Sequence, residues 1–175
     1  MFVTLALAIM LGVAGTRLHT RVAPLVPALD SPSAATASGL FLIGFVTAVL
    51  YLLRLRHDTA GGTTATVIDR LPVADRLDRL TQRLHIVAFP IWTFAVGTGA
   101  IWAEAAWGRY WAWDPQETWA FISWMVYAAY LHARNTGGWR GRNAAMVVLL
   151  GWVTMMINLF AVNILARGPH SYAGW

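Results

Sequence analysis

Six of the ten tryptophans fall between Trp102 and Trp124. Three of them, Trp107, Trp111 and Trp113, share one short connection, and the stretch through the next tryptophan reads Trp107-Gly108-Arg109-Tyr110-Trp111-Ala112-Trp113-Asp114-Pro115-Gln116-Glu117-Thr118-Trp119. An interfacial aromatic belt accounts for two or three Trp at a helix end. It does not account for Trp107, Trp111 and Trp113 together, with Asp114 and Glu117 beside them. The chemistry these residue types offer is stacking: indole faces lie against large planar ligands, and each aromatic pair adds about 0.5–1.5 kcal/mol beyond area burial. The loop therefore reads as a flat apolar platform. The acids also have a local reading. Asp114 before Pro115 is an N-cap followed by Pro at N1, and Glu117 at N3 completes a pattern like a capping box.

Five histidines are candidates for a second kind of chemistry. His57 follows Arg54 and Arg56 at the end of an apolar run, where a helix C-terminus favours positive charge, and reads as structural. His85 opens another run and reads as an interfacial side chain. His132, in Tyr130-Leu131-His132-Ala133-Arg134, is an ionisable residue near the end of a span and a functional candidate on that ground. His170 lies in the tail, in Gly168-Pro169-His170-Ser171-Tyr172, and His19 lies in an early connection. A neutral imidazole is an axial ligand for haem iron. An aromatic platform and a histidine on one membrane face would together make a haem site.

The elements that must position these groups are membrane spans. Of 175 residues, 58% are hydrophobic and 12% charged, with a mean hydropathy of +0.54; a soluble domain runs about 45–50% and about 25%. Those values exclude an ordinary soluble domain and a disordered chain. The absence of Cys excludes disulfides, thiolate metal sites and a cysteine nucleophile. The expected fold is an all-α, polytopic transmembrane helix bundle, one membrane domain over residues 1–175. About five spans are expected: Phe2–Gly15, Ala37–Leu53, Ile86–Trp102, Trp119–Leu131 and Ala144–Leu165. Val73–Leu84 has apolar residues at Val73, Leu77, Leu80 and Leu84 and reads as a short interfacial amphipathic helix leading into the next span.

All 13 basic residues are Arg, and they cluster between apolar runs. That pattern reads as topology determinants facing a lipid bilayer, with no nucleic-acid partner. Arg54, Arg56, Arg70, Arg76, Arg79, Arg83, Arg134, Arg140 and Arg142 fall on one side of a five-span arrangement; Arg17, Arg21, Arg109 and Arg167 fall on the other. The richer side is expected to be cytoplasmic. That places the tryptophan loop (104–119) and the C-terminus on the external face of a multi-pass plasma-membrane protein.

The tryptophan-rich stretch resembles the WWD signature of the haem-handling cytochrome c assembly proteins, of the CcsA/ResC type, called CcsB in actinobacteria. Leu77-Asp78-Arg79, Phe89-Pro90, Gly99-Ala100-Ile101-Trp102-Ala103, Tyr130-Leu131-His132-Ala133-Arg134, Asn158-Leu159-Phe160 and His170-Ser171-Tyr172-Ala173-Gly174 extend the likeness over most of the chain. The resemblance implies a haem-binding component of system II cytochrome c maturation, presenting haem b for attachment to apocytochrome c beside a ResB-type membrane subunit. By that resemblance His170 matches the second external histidine, which ligates the iron, and His132 matches the membrane-embedded histidine of a transit site. Trp107, Gly108, Trp111, Trp113 and Asp114 match the signature loop. Such a haem lyase-like synthase needs no covalent side-chain catalyst, since positioning of two reactants supplies the rate enhancement.

Two departures accompany the likeness. The chain resembles an N-terminally truncated member, and the segment expected to hold the first external histidine is reduced to Asp30–Thr36, which contains no His. His19 is a substitute on the same face. The alternative class is a degenerate or structural membrane subunit that no longer ligates haem and uses the loop as a partner-docking surface.

Overall fold

The structure is a computed structural model that describes residues 26–60 and 67–161. The expected first span Phe2–Gly15, His19 and His170 lie outside the described residues. Among the described residues the fold is all helical. Helix α1 is Val26–Thr59, a 3-10 turn covers Val67–Arg70, α2 is Ala74–Trp107, α3 is Pro115–Thr136 and α4 is Arg142–Met156, continued by a π-helical turn Ile157–Ala161.

Three of these helices, over Asp30–Thr59, Ala74–Glu104 and Arg142–Phe160, are long and apolar enough to cross a membrane. In their most apolar windows only 33%, 22% and 39% of residues are buried inside the bundle. The apolar side chains therefore point largely outward, as Leu42, Ile43, Val46, Phe94, Met146 and Leu150 do. Lipid is the solvent that makes such a surface favourable. Helix α3 has 22 residues, about 33 Å at 1.5 Å per residue, enough to cross a ~30 Å hydrocarbon core.

Helix α1 packs mainly on α2, α3 packs on α2 and α4, and α4 closes back on α1. Small residues make these approaches possible: Ala37, Ala48, Ala88, Ala95, Ala144 and Ala145 are all buried. One core layer joins Phe41, Trp92, Tyr127 and Met155. The other joins Tyr51, Leu77, Tyr130 and Val148. Within the first layer, Phe41 and Tyr127 stack with ring centroids 3.9 Å apart.

Of the expected helix Val73–Leu84, residues 74–84 are helical, with Val73 as the N-cap, and they run without a break into the following span as the first turns of α2. Its Leu77 and Thr81 are buried, and Thr81 meets Thr47 of α1 at 2.8 Å between hydroxyls. This places His85 inside the bundle, where its side chain is fully buried and its Nδ1 lies 2.7 Å from the Thr81 carbonyl. The expectation of an interfacial His85 is corrected by that continuity. A ring one turn beyond Thr81 faces α1, and Gly44 leaves the space for it: a Cβ there would come within 2.4 Å of His85 Cε1.

Candidate functional site: the aromatic loop and the cavity beneath it

The loop between α2 and α3 is shaped by three local devices. Helix α2 ends at Gly108, which takes the left-handed conformation (φ 70°) and donates its N–H to Glu104 O. Helix α3 begins as its sequence requires: Asp114 is the N-cap, accepts the Glu117 N–H at 2.8 Å, and is followed by Pro115. Glu117 does not reach back to the N-cap. Its carboxylate accepts the main-chain N–H of Ala112 at 2.6 Å instead.

Between Ala112 and Asp114 stands Trp113, the one non-glycine residue with positive φ (58°) among the described residues. A bulky residue in this region is a true outlier, and such strain costs about 1–3 kcal/mol. The surrounding hydrogen bonds hold it there. The result is an indole that is 69% exposed.

The rings do not form a flat platform. Trp111 meets Trp113 at 5.9 Å and 79°, Phe121 meets Trp111 at 76°, and Phe121 meets Trp113 at 87°. Edge-to-face contact is what the ring quadrupoles favour when aromatics crowd. The expected ledge is therefore a corner of three mutually perpendicular rings, with the open face of Trp113 as its most accessible surface. Phe121 then stacks on Trp124 (8° between planes), whose Nε1 donates to Thr93 Oγ1 at 2.9 Å, tying the corner to α2.

Beneath the loop lies a cavity of about 300 Å³, lined by residues of every helix. Asp30 comes from α1, Trp92 from α2, Trp111 from the loop, Gln116 and Glu117 from α3, and Asn158 from the π-helical turn. The segment Asp30–Thr36 is helical, forming the first turns of α1, and Asp30 Oδ1 accepts the Thr98 hydroxyl at 3.1 Å.

Of the residues singled out in the sequence, Gly108, Trp111, Trp113 and Asp114 come together in this loop. Trp107 is the last residue of α2, and its side chain is outside the described part. His132 does not join them: it lies 17 residues after Pro115 on α3, about 25 Å along the axis, and is exposed. His170 follows Ala161 by nine residues, and Ala161 ends the turn that carries Asn158 at the loop end of the bundle. His57 lies near two carboxylates, 3.7 Å from Asp69 and 3.9 Å from Asp58, in keeping with a structural role.

The profile of the cytochrome c assembly protein family matches residues 2–170. The chain belongs to the cytochrome c assembly protein family. It is 48% identical over 117 residues to the cytochrome c biogenesis protein CcsA of Gloeobacter violaceus, covering 67% of this chain and 34% of that protein. It is 47% identical over 130 residues to CcsA of Trichormus variabilis, covering 74% of this chain and 37% of that one. The chain thus spans about a third of the length of these curated relatives.

Within this assembly-family chain, sequence reasoning missed Trp92, Gln116 and Asn158. Asn158 carried a usable signal, since a polar side chain inside the apolar run Ala144–Leu165 is expensive in lipid and needs a reason. Trp92 and Gln116 carried none, because only the packing of α2, α3 and α4 brings them to one cavity.

Proposed function

We propose that this chain is a haem-handling membrane component of cytochrome c maturation, and that its aromatic loop presents haem for attachment to apocytochrome c. The observation that carries the reading is Trp113. A large indole is held in a strained conformation by Glu117 and the Asp114 cap, and the outcome is an exposed ring face on the loop whose Trp111 lines the cavity. Strain maintained at one exposed residue is the mark of a site rather than of packing. A planar, mostly apolar substrate fits such a corner.

His170 ligates the iron in this reading, with Trp111 and Trp113 as the aromatic contacts and Asp114 and Gly108 as the residues that shape the loop. His132, at the other end of α3, serves an earlier stage of haem transit. The substrate haem b brings vinyl groups that form thioether bonds with the Cys-X-X-Cys-His thiols of the apocytochrome. The chain's own part is to hold, orient and expose. A ResB-type subunit is the expected membrane partner.

The loop end is external and the membrane is the plasma membrane. The support is the distribution of arginine: the helix ends and connections at the opposite end of the bundle, from Arg54 to Arg83 and from Arg134 to Arg142, hold nine of the 13 basic residues.

The test is the haem spectrum of the purified chain. His170→Ala is expected to lower the haem content and to alter the axial-ligand spectrum, while His57→Ala retains both. Equal pigment in the two variants, with unchanged spectra, would refute the assignment.

A further inference from the structure

Among the described residues, six buried side-chain polar atoms have no hydrogen-bond partner. Four of them belong to residues that line one cavity, the one beneath the loop: Trp92 Nε1, Trp111 Nε1, Gln116 Oε1 and Asn158 Oδ1. Trp92 and Asn158 are only 5% and 4% exposed. Buried groups left unsatisfied are costly, so a concentration of them around one space points to a ligand that pairs with them.

The ligand's chemistry follows from what the cavity leaves open. Its two carboxylates already accept hydrogen bonds, Asp30 from Thr98 and Glu117 from Ala112. None of the described lining residues is basic. A ligand carboxylate would meet two like charges with no cation among those residues. A hydrocarbon would leave all four polar atoms unpaired. The open set is two indole N–H donors and two amide oxygens, a mixed set of donors and acceptors. A polypeptide main chain is neutral and offers N–H and C=O in alternation. The volume is at the lower end of the ~300–1,000 Å³ range of ligand sites, room for a few residues in extended form.

We infer that this cavity receives the main chain of the polypeptide substrate, next to its Cys-X-X-Cys-His motif, through Trp92, Trp111, Gln116 and Asn158. The inference rests on the reading of the loop as the place where haem meets apocytochrome c. It goes further by giving the polypeptide a seat of its own, beside the loop that holds the porphyrin. Its carbonyls take the indole N–H groups and its N–H groups take the amide oxygens.

The test uses the full chain in detergent, free of haem, and a fluorescent peptide containing Cys-X-X-Cys-His with both thiols alkylated. Binding is read by anisotropy. Trp92→Phe keeps an aromatic ring in the core and removes the donor; Asn158→Leu removes the amide. Each is expected to weaken peptide binding about tenfold, the size of one lost buried hydrogen bond. Gln116→Leu, at the helix start rather than in the core, gives the same loss and serves if a core variant fails to fold. Peptide affinities within twofold of the parent in the folded variants would overturn the inference, as would no peptide binding by the parent. A fall in haem content with peptide affinity unchanged would assign the cavity to the porphyrin instead. Peptide binding that follows the expected pattern in a chain that never holds haem would leave this site standing and refute only the haem reading.

Discussion

The carboxylate of Glu117 accepts the main-chain N–H of Ala112 at 2.6 Å, one residue before the backbone of Trp113 enters the left-handed region. Two bonds from the first turn of α3 thus set the loop: this one, and the Asp114 cap on the Glu117 N–H. Removing the first by Glu117→Ala is expected to cost about 1.5–3 kcal/mol, the range for a hydrogen bond to a charged group. Asp114→Ala is expected to cost about 1 kcal/mol. Thermal unfolding in detergent reads both, and both variants should also hold less haem.

Trp113 separates stability from binding. Replacing it with Gly relieves a strained φ of 58°, worth about 1–2 kcal/mol, against about 0.4–1 kcal/mol of added unfolded-state entropy. Trp113→Gly is therefore expected to leave the melting temperature unchanged or slightly raised while haem content falls. A parallel loss of both would show that the ring is part of the fold.

The glycines of α1 predict opposite signs for the same substitution. At Gly44 an added Cβ meets His85 Cε1 at 2.4 Å, while at Gly39 nothing lies within 4 Å. Gly44→Ala is expected to destabilise by about 1–3 kcal/mol through overpacking. Gly39→Ala is expected to stabilise by about 0.5–1 kcal/mol through the backbone alone. Unfolding midpoints of the two variants check the pair.

At the far end of the bundle Arg134 grips both oxygens of Asp78 at 3.0 Å and reaches Gln82 at 2.6 Å. The side chains are 2% and 16% exposed. Arg134→Met leaves Asp78 without its partner and is expected to cost about 3–5 kcal/mol; the double variant with Asp78→Leu recovers most of it. A double-mutant cycle on unfolding free energy measures the coupling.

The spans in α1, α2 and α4 were legible because lipid demands long apolar runs, and the start of α3 was legible because Asp114, Pro115 and Glu117 act within one turn. The partner of Glu117 was not. A capping box and a bond to Ala112 use the same residue types, and only the course of the loop chooses between them. The burial of His85 was hidden by its position beside Arg83 at the edge of an apolar run. It becomes clear once α2 is seen to start at Ala74 and Gly44 is seen to face the ring. The perpendicular arrangement of Trp111, Trp113 and Phe121 depends on how three separate backbones crowd, and spacing along the chain does not encode it.

The most direct test of the loop as a haem-presenting surface compares two exposed tryptophans at opposite ends of the bundle. Trp113 lies on the α2–α3 loop, and Trp139, 49% exposed, lies on the α3–α4 turn. Haem content per chain is measured by absorbance in purified Trp113→Ala and Trp139→Ala proteins. Trp113→Ala is expected to lose most of its haem and Trp139→Ala to match the parent. Equal haem in both variants, or equal loss from both, would contradict a haem site built on Trp113.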